Sequence, residues 1–163
     1  MRDDPSFGLR QTVDVTLRAL SPGVNDPTTA QDGIFHAAAV VTEFLHRVPP
    51  PAVRKTKDGG KLILNESHDY DSIVRLGFDE ARICAASSPT VALYLLEALR
   101  LIRESLCANG RPGRAPEIER QARLIEANIL QVNHVEDDRK FIQKARSDRF
   151  DSKNFWNRGL WGV

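Results

Sequence analysis

Prolines and glycines cut this chain into segments, and within the segments the apolar residues recur at helical rather than strand spacing. The cuts fall at Pro22-Gly23, Pro49-Pro50-Pro51, Ser87-Ser88-Pro89, Asn109-Gly110, Pro112-Gly113 and Pro116. A proline inside a helix lacks the amide hydrogen that its turn needs and clashes with the carbonyl one turn back, so each cut ends or begins an element. Leu9, Val13, Leu17 and Leu20 mark a first helix over Phe7 to Leu20, which Pro22 and Gly23 stop, the glycine being able to adopt the positive φ common at a helix C-terminus. A second helix starts at Asp26 or Pro27 and carries Ile34, Ala37, Ala38, Val41, Leu45 and Val48 on one face. The third, capped by His68 or Asp69, carries Ile73, Val74, Gly77, Phe78, Ala81 and Ala85. Pro89 opens a fourth, whose Val91, Leu95, Leu99, Ile102 and Leu106 form the strongest apolar stripe and mark it as the central helix. A fifth from Pro116 presents Ile118, Ala122, Ile125, Ile129 and Val132, and a sixth runs from Glu136 to about Arg146 with its acids at the positive end of the helix dipole.

Between the second and third helices the pattern shortens. Ala52 to Lys55 and Lys61 to Leu64 flank Lys57-Asp58-Gly59-Gly60, which reads as a small hairpin near 52–64. The fold expected is therefore mainly α, a bundle of five to six helices with one small β-hairpin. Residues 1–150 form a single domain in this reading, followed by an aromatic tail over 151–163. Phe155, Trp156, Leu160 and Trp161 in that tail suit either a membrane interface or a cover over the core.

Composition removes several functional classes. Basic and acidic residues number 23 and 22, so no overall field attracts nucleic acid, and none is expected as a partner. No run approaches the roughly 18 apolar residues of a membrane span. Cys84 and Cys107 lie in separate apolar stretches without metal-ligand spacing, which suits reduced core thiols, although the sequence leaves a disulfide between them open. Nucleophile elbows, phosphate loops, dinucleotide fingerprints and C-x-x-C pairs are absent, so no cofactor is expected. Asp32, His36, Glu43 and His46 lie near one side of the second helix, but without a histidine pair at metal-ligating spacing they read as a solvated or partner-facing stripe. No metal site is expected.

The most informative polar stretch is the corner Ser21-Pro22-Gly23-Val24-Asn25-Asp26-Pro27-Thr28. Asp26 precedes a proline, which favours the extended backbone of an N-cap, and its carboxylate can accept from the free amides of the next turn. Two readings stand side by side. In one the corner is a capped helical hairpin, with Arg18 paired to Asp14. In the other Asp14, Arg18, Ser21, Asn25, Asp26 and Thr28 converge on a ligand, a cation fitting better than an anion because Pro27 deletes an amide and Asp26 adds negative charge.

The stretch from Asp4 to Ala30 carries D-P-S-F-G-L-R-Q, then V-D-V-T-L-R-A-L-S-P-G and N-D-P-T-T-A. It resembles the signature of a bacterial family of predicted membrane proteins, domain of unknown function 2254, and the stretch from Phe78 to Leu96 fits the same pattern more diffusely. Thr12, Thr16 and Thr28 stand where that family usually has leucine, alanine and phenylalanine. The resemblance implies the C-terminal, helical part of such a protein, with membrane helices in a preceding region that this chain lacks, so that Met1 is expected to be a truncated start. It implies a place on the cytoplasmic side of the bacterial inner membrane. The function expected is a non-catalytic one, self-association, partner binding or sensing, with a homo-oligomer or a membrane-protein partner. The alternative is a hydrolase or a small-molecule or cation site at Asp14, Arg18, Asn25 and Asp26.

Overall fold

The computed structural model describes residues 5–48, 53–55, 58–63 and 69–151. Six α-helices run through them: α1 (Pro5–Ala19), α2 (Pro27–His46), α3 (Tyr70–Cys84), α4 (Pro89–Ala108), α5 (Pro116–Gln131) and α6 (Glu136–Phe150). Short 3-10 turns at Ala85–Ser87 and Pro112–Arg114 lead into α4 and α5. The expected mainly helical class holds. α1 begins two residues earlier than its apolar spacing indicated, and α6 continues past Arg146 to Phe150.

Between α2 and α3, Val53–Lys55 and Lys61–Ile63 pair antiparallel with Val53 opposite Ile63, around a turn in which Gly59 takes φ 80°. Three residues a side is too short to be stable alone. Among the described residues this ribbon packs on no helix to any extent, and Val53 is exposed, so the architecture is that of an all-helical bundle. The expected contributions of Ala52 and Leu64, the cap alternative His68 and the aromatic tail from Phe155 to Trp161 lie outside the described residues.

α4 is the central helix. It packs on α2, α5 and α6, and Leu95, Leu96, Leu99, Ile102 and Leu106 are fully buried in it. Each such leucine contributes about 1.5–3 kcal/mol by leaving water. Ser88 caps its start, its hydroxyl accepting from the Val91 amide at 3.4 Å, and Gly110 with φ 67° ends it as expected. There the Arg111 amide reaches back to the Leu106 carbonyl at 2.8 Å and that of Gly110 to Cys107 at 3.1 Å, the paired bonds of a Schellman cap. Asp69 caps α3 by accepting from the Ser72 amide at 2.7 Å.

α1 and α2 form a hairpin that touches most closely at Thr16 and Gly33. A Cβ placed on Gly33 would lie 2.1 Å from Thr16 Oγ1, so only glycine fits beside the threonine. Thr16 is buried, and its hydroxyl donates to the Thr12 carbonyl at 3.0 Å, which satisfies it within its own helix. Gly77 admits α3 in the same way, with Val41 Cγ2 3.0 Å from where its Cβ would be. Two expectations fail at exposed ends. Val48 lies beyond α2 and is 79% exposed, because the helix has already ended at His46. Cys84 is exposed on the last turn of α3 rather than buried as a core thiol; both cysteines are free.

Candidate functional site

Asp26 sits at the N-cap of α2 in extended backbone, φ −105° and ψ 92°. The amides of Thr28 and Thr29 donate to its Oδ1 at 3.0 and 3.1 Å, and the Thr29 hydroxyl donates to Oδ2 at 2.5 Å. The Thr29 hydroxyl first, and then its amide, hold the Asp26 carboxyl below the usual carboxylate range. Ser21 Oγ donates to the Arg18 carbonyl at 2.7 Å, while its own carbonyl accepts from the amides of Val24 and Asn25. The Asp26 amide closes the corner onto the Ala19 carbonyl at 2.8 Å.

The positive φ of this corner falls on Asn25, at 45°, and not on Gly23. Asparagine tolerates that region better than other residues with a Cβ. The expected pairing of Arg18 with Asp14 is replaced by another. Asp14 meets Arg10 one turn back, with Nε 3.1 Å from Oδ1, and Arg10 also engages Glu80 of α3. Those two bonds raise the Arg10 guanidinium further above its ordinary value, the contact with Glu80 contributing most. The contact is partly tertiary: Glu80 of α3 holds the Arg10 guanidinium in place between the two carboxylates. Arg18 is exposed, and although its carbonyl accepts from Ser21, its guanidinium makes no hydrogen bond or ion pair among the described residues. Of the six corner candidates, then, Ser21, Asn25, Asp26 and Thr28 are joined by the turn and the cap, whereas Asp14 is drawn toward α3.

The other end of α2 carries a constellation that the sequence did not disclose. Arg111 donates to the His46 carbonyl, and Arg114 to the carbonyls of Leu45 and, at 3.0 Å, Arg47. The Arg114 guanidinium lies 4.3 Å from the centre of the Tyr70 ring, and the Tyr70 hydroxyl donates to the Arg47 carbonyl at 2.9 Å. These cations sit where the helix dipole is negative and the last carbonyls lack intrahelical donors. His46 turns inward, away from Asp32 and His36, and faces Ser105 Oγ at 2.9 Å. Arg111 Nη1 lies 3.4 Å from His46 Nδ1, and since a guanidinium only donates, the ring proton belongs on Nε2 with Ser105 accepting.

A second hidden cluster joins α3 to α5. Glu117 is 5% exposed and accepts from Arg75 Nε at 3.1 Å, Arg120 Nη1 at 2.8 Å and Gln121 Nε2 at 3.2 Å. Gln121, wholly buried, also donates to Asp79 Oδ1 at 2.9 Å, and Asp79 pairs with Arg82 at 3.1 Å. The only trace in the sequence was that Gln121 shares the buried face of Ile118, Ala122 and Ile125. His134 Nε2 bonds to the Ala86 carbonyl at 2.8 Å, a carbonyl distant in sequence.

Three concave surfaces among the described residues lie away from the corner. One groove of about 490 Å³ runs between α4 and α6 past Tyr94, Glu97, Phe141, Lys144 and Arg149. Two shallower ones flank the outward face of α2: about 410 Å³ by Val40 and Phe44, and about 390 Å³ by Phe35 and Leu101, with Ala39 and Glu43 on the ridge between them. Among the described residues no group of three metal-binding side chains forms, and no helix is long and apolar enough to cross a membrane.

These features define an all-helical bundle whose polar side chains mostly cap and clamp its own helices. The chain belongs to the family of predicted membrane proteins known as domain of unknown function 2254, whose model matches residues 1–101. It is similar to uncharacterized proteins of Mycobacterium bovis and of Mycobacterium tuberculosis strain H37Rv, each 30% identical over 145 residues. That match covers 89% of this chain and 27% of each relative, so the chain spans about a quarter of their length. No solved structure matches.

Proposed function

We propose that this chain is a cytoplasmic domain of a bacterial membrane protein that works by association, with a second copy or a membrane-protein partner, rather than by catalysis. The observation that carries the reading is the contrast between the corner and the outward face of α2. At the corner the Asp26 carboxylate is consumed by three donors of its own helix, and Asp14 is held by Arg10. On α2, by comparison, two apolar grooves lie open around an exposed ridge. The cytoplasmic placement is supported by the two free cysteines, one of them exposed, since such thiols persist in reducing compartments.

Sedimentation velocity over a wide range of concentrations tests this reading, alone and with a detergent-solubilised full-length mycobacterial relative. Concentration-dependent association, or cosedimentation with the relative, is expected. A strict monomer that also fails to sediment with the relative overturns it. The small-molecule reading of the corner keeps one supporting observation, the exposed Arg18 guanidinium, which has no partner among the described residues and suits an anionic group. Calorimetric titration with small carboxylates and phosphates would establish it if the heat were lost in Arg18→Ala.

A further inference from the structure

We infer that the outward stripe of α2 is a two-fold interface with a second copy of this chain, the two α2 helices running antiparallel about a dyad between Ala39 and Val40. The inference rests on the association reading and names its partner and surface.

Asp32, His36, Ala39, Glu43 and Arg47 are all exposed, at successive steps of three or four residues. At 100° per residue they occupy a stripe about 80° wide, extending about 22 Å along the helix. Its charges are arranged with a reversal of sign about the centre. An antiparallel dyad between Ala39 and Val40 sets Asp32 at the height of the second copy's Arg47, and His36 at the height of the second copy's Glu43. Symmetry repeats both contacts, giving four opposite or proton-sharing pairs. A parallel pairing of the same stripe would set Asp32 against Asp32 and Arg47 against Arg47, which like charges oppose. The pattern therefore selects one orientation.

The local geometry suits it. His36 Nδ1 is bonded to the Asp32 carbonyl at 2.8 Å, which fixes the ring and leaves Nε2 outward. Both bonds that Glu43 accepts from Arg47 fall on Oε1, at 3.2 and 3.0 Å, so Oε2 is open toward a second copy. Ala39, the smallest side chain of the stripe, is next to the dyad, where the helices approach most closely. A dyad lying across the helices also places each flank beside its own counterpart. The groove by Val40 and Phe44 then continues into the same groove of the second copy, and the groove by Phe35 and Leu101 does likewise. Apolar surface meets apolar surface on both sides of a charged seam.

The experiment is sedimentation equilibrium of the whole chain and three variants, with far-UV circular dichroism to verify that each is helical. Ala39→Glu brings two carboxylates to the dyad and is expected to weaken dimerisation at least 100-fold. Asp32→Lys and Arg47→Glu each create two like-charge contacts and are expected to weaken it about tenfold. Mixed in equal amounts, these last two variants form a heterodimer in which both end contacts are again opposite in sign, and near-native affinity returns. That recovery is specific to the antiparallel register. A wild-type chain that is monomeric throughout overturns the interface while leaving association with the membrane-embedded relative to be decided by its own cosedimentation. A wild-type dimer unaffected by Ala39→Glu, or variants that do not recover on mixing, also overturns it.

Discussion

The two ends of α2 solve the same problem from opposite directions. At the N-terminus Pro27 has no amide hydrogen to satisfy, and the free amides of Thr28 and Thr29 are served by Asp26, all within three residues of the helix start. At the C-terminus the orphan carbonyls are served by Arg111 and Arg114, which arrive from the α4–α5 connection, and by Tyr70 from α3. One cap forms as soon as the helix does; the other forms only when the bundle closes. The difference teaches that the corner is a local device, whereas the far end reports on tertiary assembly.

The middle of α2 offers the largest test of that contrast. Gly33→Ala should destabilise the domain by about 2 kcal/mol, as overpacking does, despite the better helix propensity of alanine. Urea denaturation should show most of the loss recovered in the double variant with Thr16→Ala, because the hydroxyl that the new Cβ meets is then gone. Failure of that recovery would locate the strain elsewhere.

Next in size is the distant cap. Replacing both Arg111 and Arg114 by alanine should cost about 1–3 kcal/mol, from several charge-assisted bonds and the stacking on Tyr70. It should also raise amide exchange in the last turn of α2 while leaving its first turn protected. Asp26→Asn should have a smaller effect, reading out at the first turn and not the last. Its sign with pH follows from the depressed carboxyl. The contribution is fully present above the unfolded value, about 3.9, and is lost as pH falls through the lower folded value. The difference in unfolding midpoint between wild type and Asp26→Asn should therefore shrink in acid. Last, Arg18→Ala should leave the urea midpoint unchanged, since its guanidinium makes no hydrogen bond or ion pair among the described residues; a change would reveal a further contact.

Much of the fold was legible because it is written in short-range terms. Proline placement, helical spacing and the Asp26, Ser88 and Gly110 caps each depend on residues within one or two turns. What was hidden depends on what packs alongside. Asp14 has an arginine one turn away on each side, Arg10 and Arg18, and nothing local decides between them; Arg10 is the one that Glu80 of α3 holds in place. Gly23 and Asn25 both suit a left-handed turn, and the closure of Asp26 onto Ala19 selects Asn25. Glu117 is a buried acid that Arg120 and Gln121 serve from its own helix, and its third donor, Arg75, arrives only from α3. The inward turn of His46 was likewise invisible, since Ser105 lies far along the chain.

The contact between Thr16 and Gly33 has one more consequence, for motion. A helix can slide along its neighbour only where side chains pass one another, and here a hydroxyl is seated in a notch one residue wide. Three and four residues away on the same face of α2, the buried Ala30 and Ala37 both carry a Cβ, so a shift of α1 along α2 in either direction would have to climb out of the notch. The α1–α2 hairpin thus behaves as a pawl in its tooth. It can rock about that point, but it cannot change register, and a force applied to α1 would reach the outward stripe of α2 as a tilt.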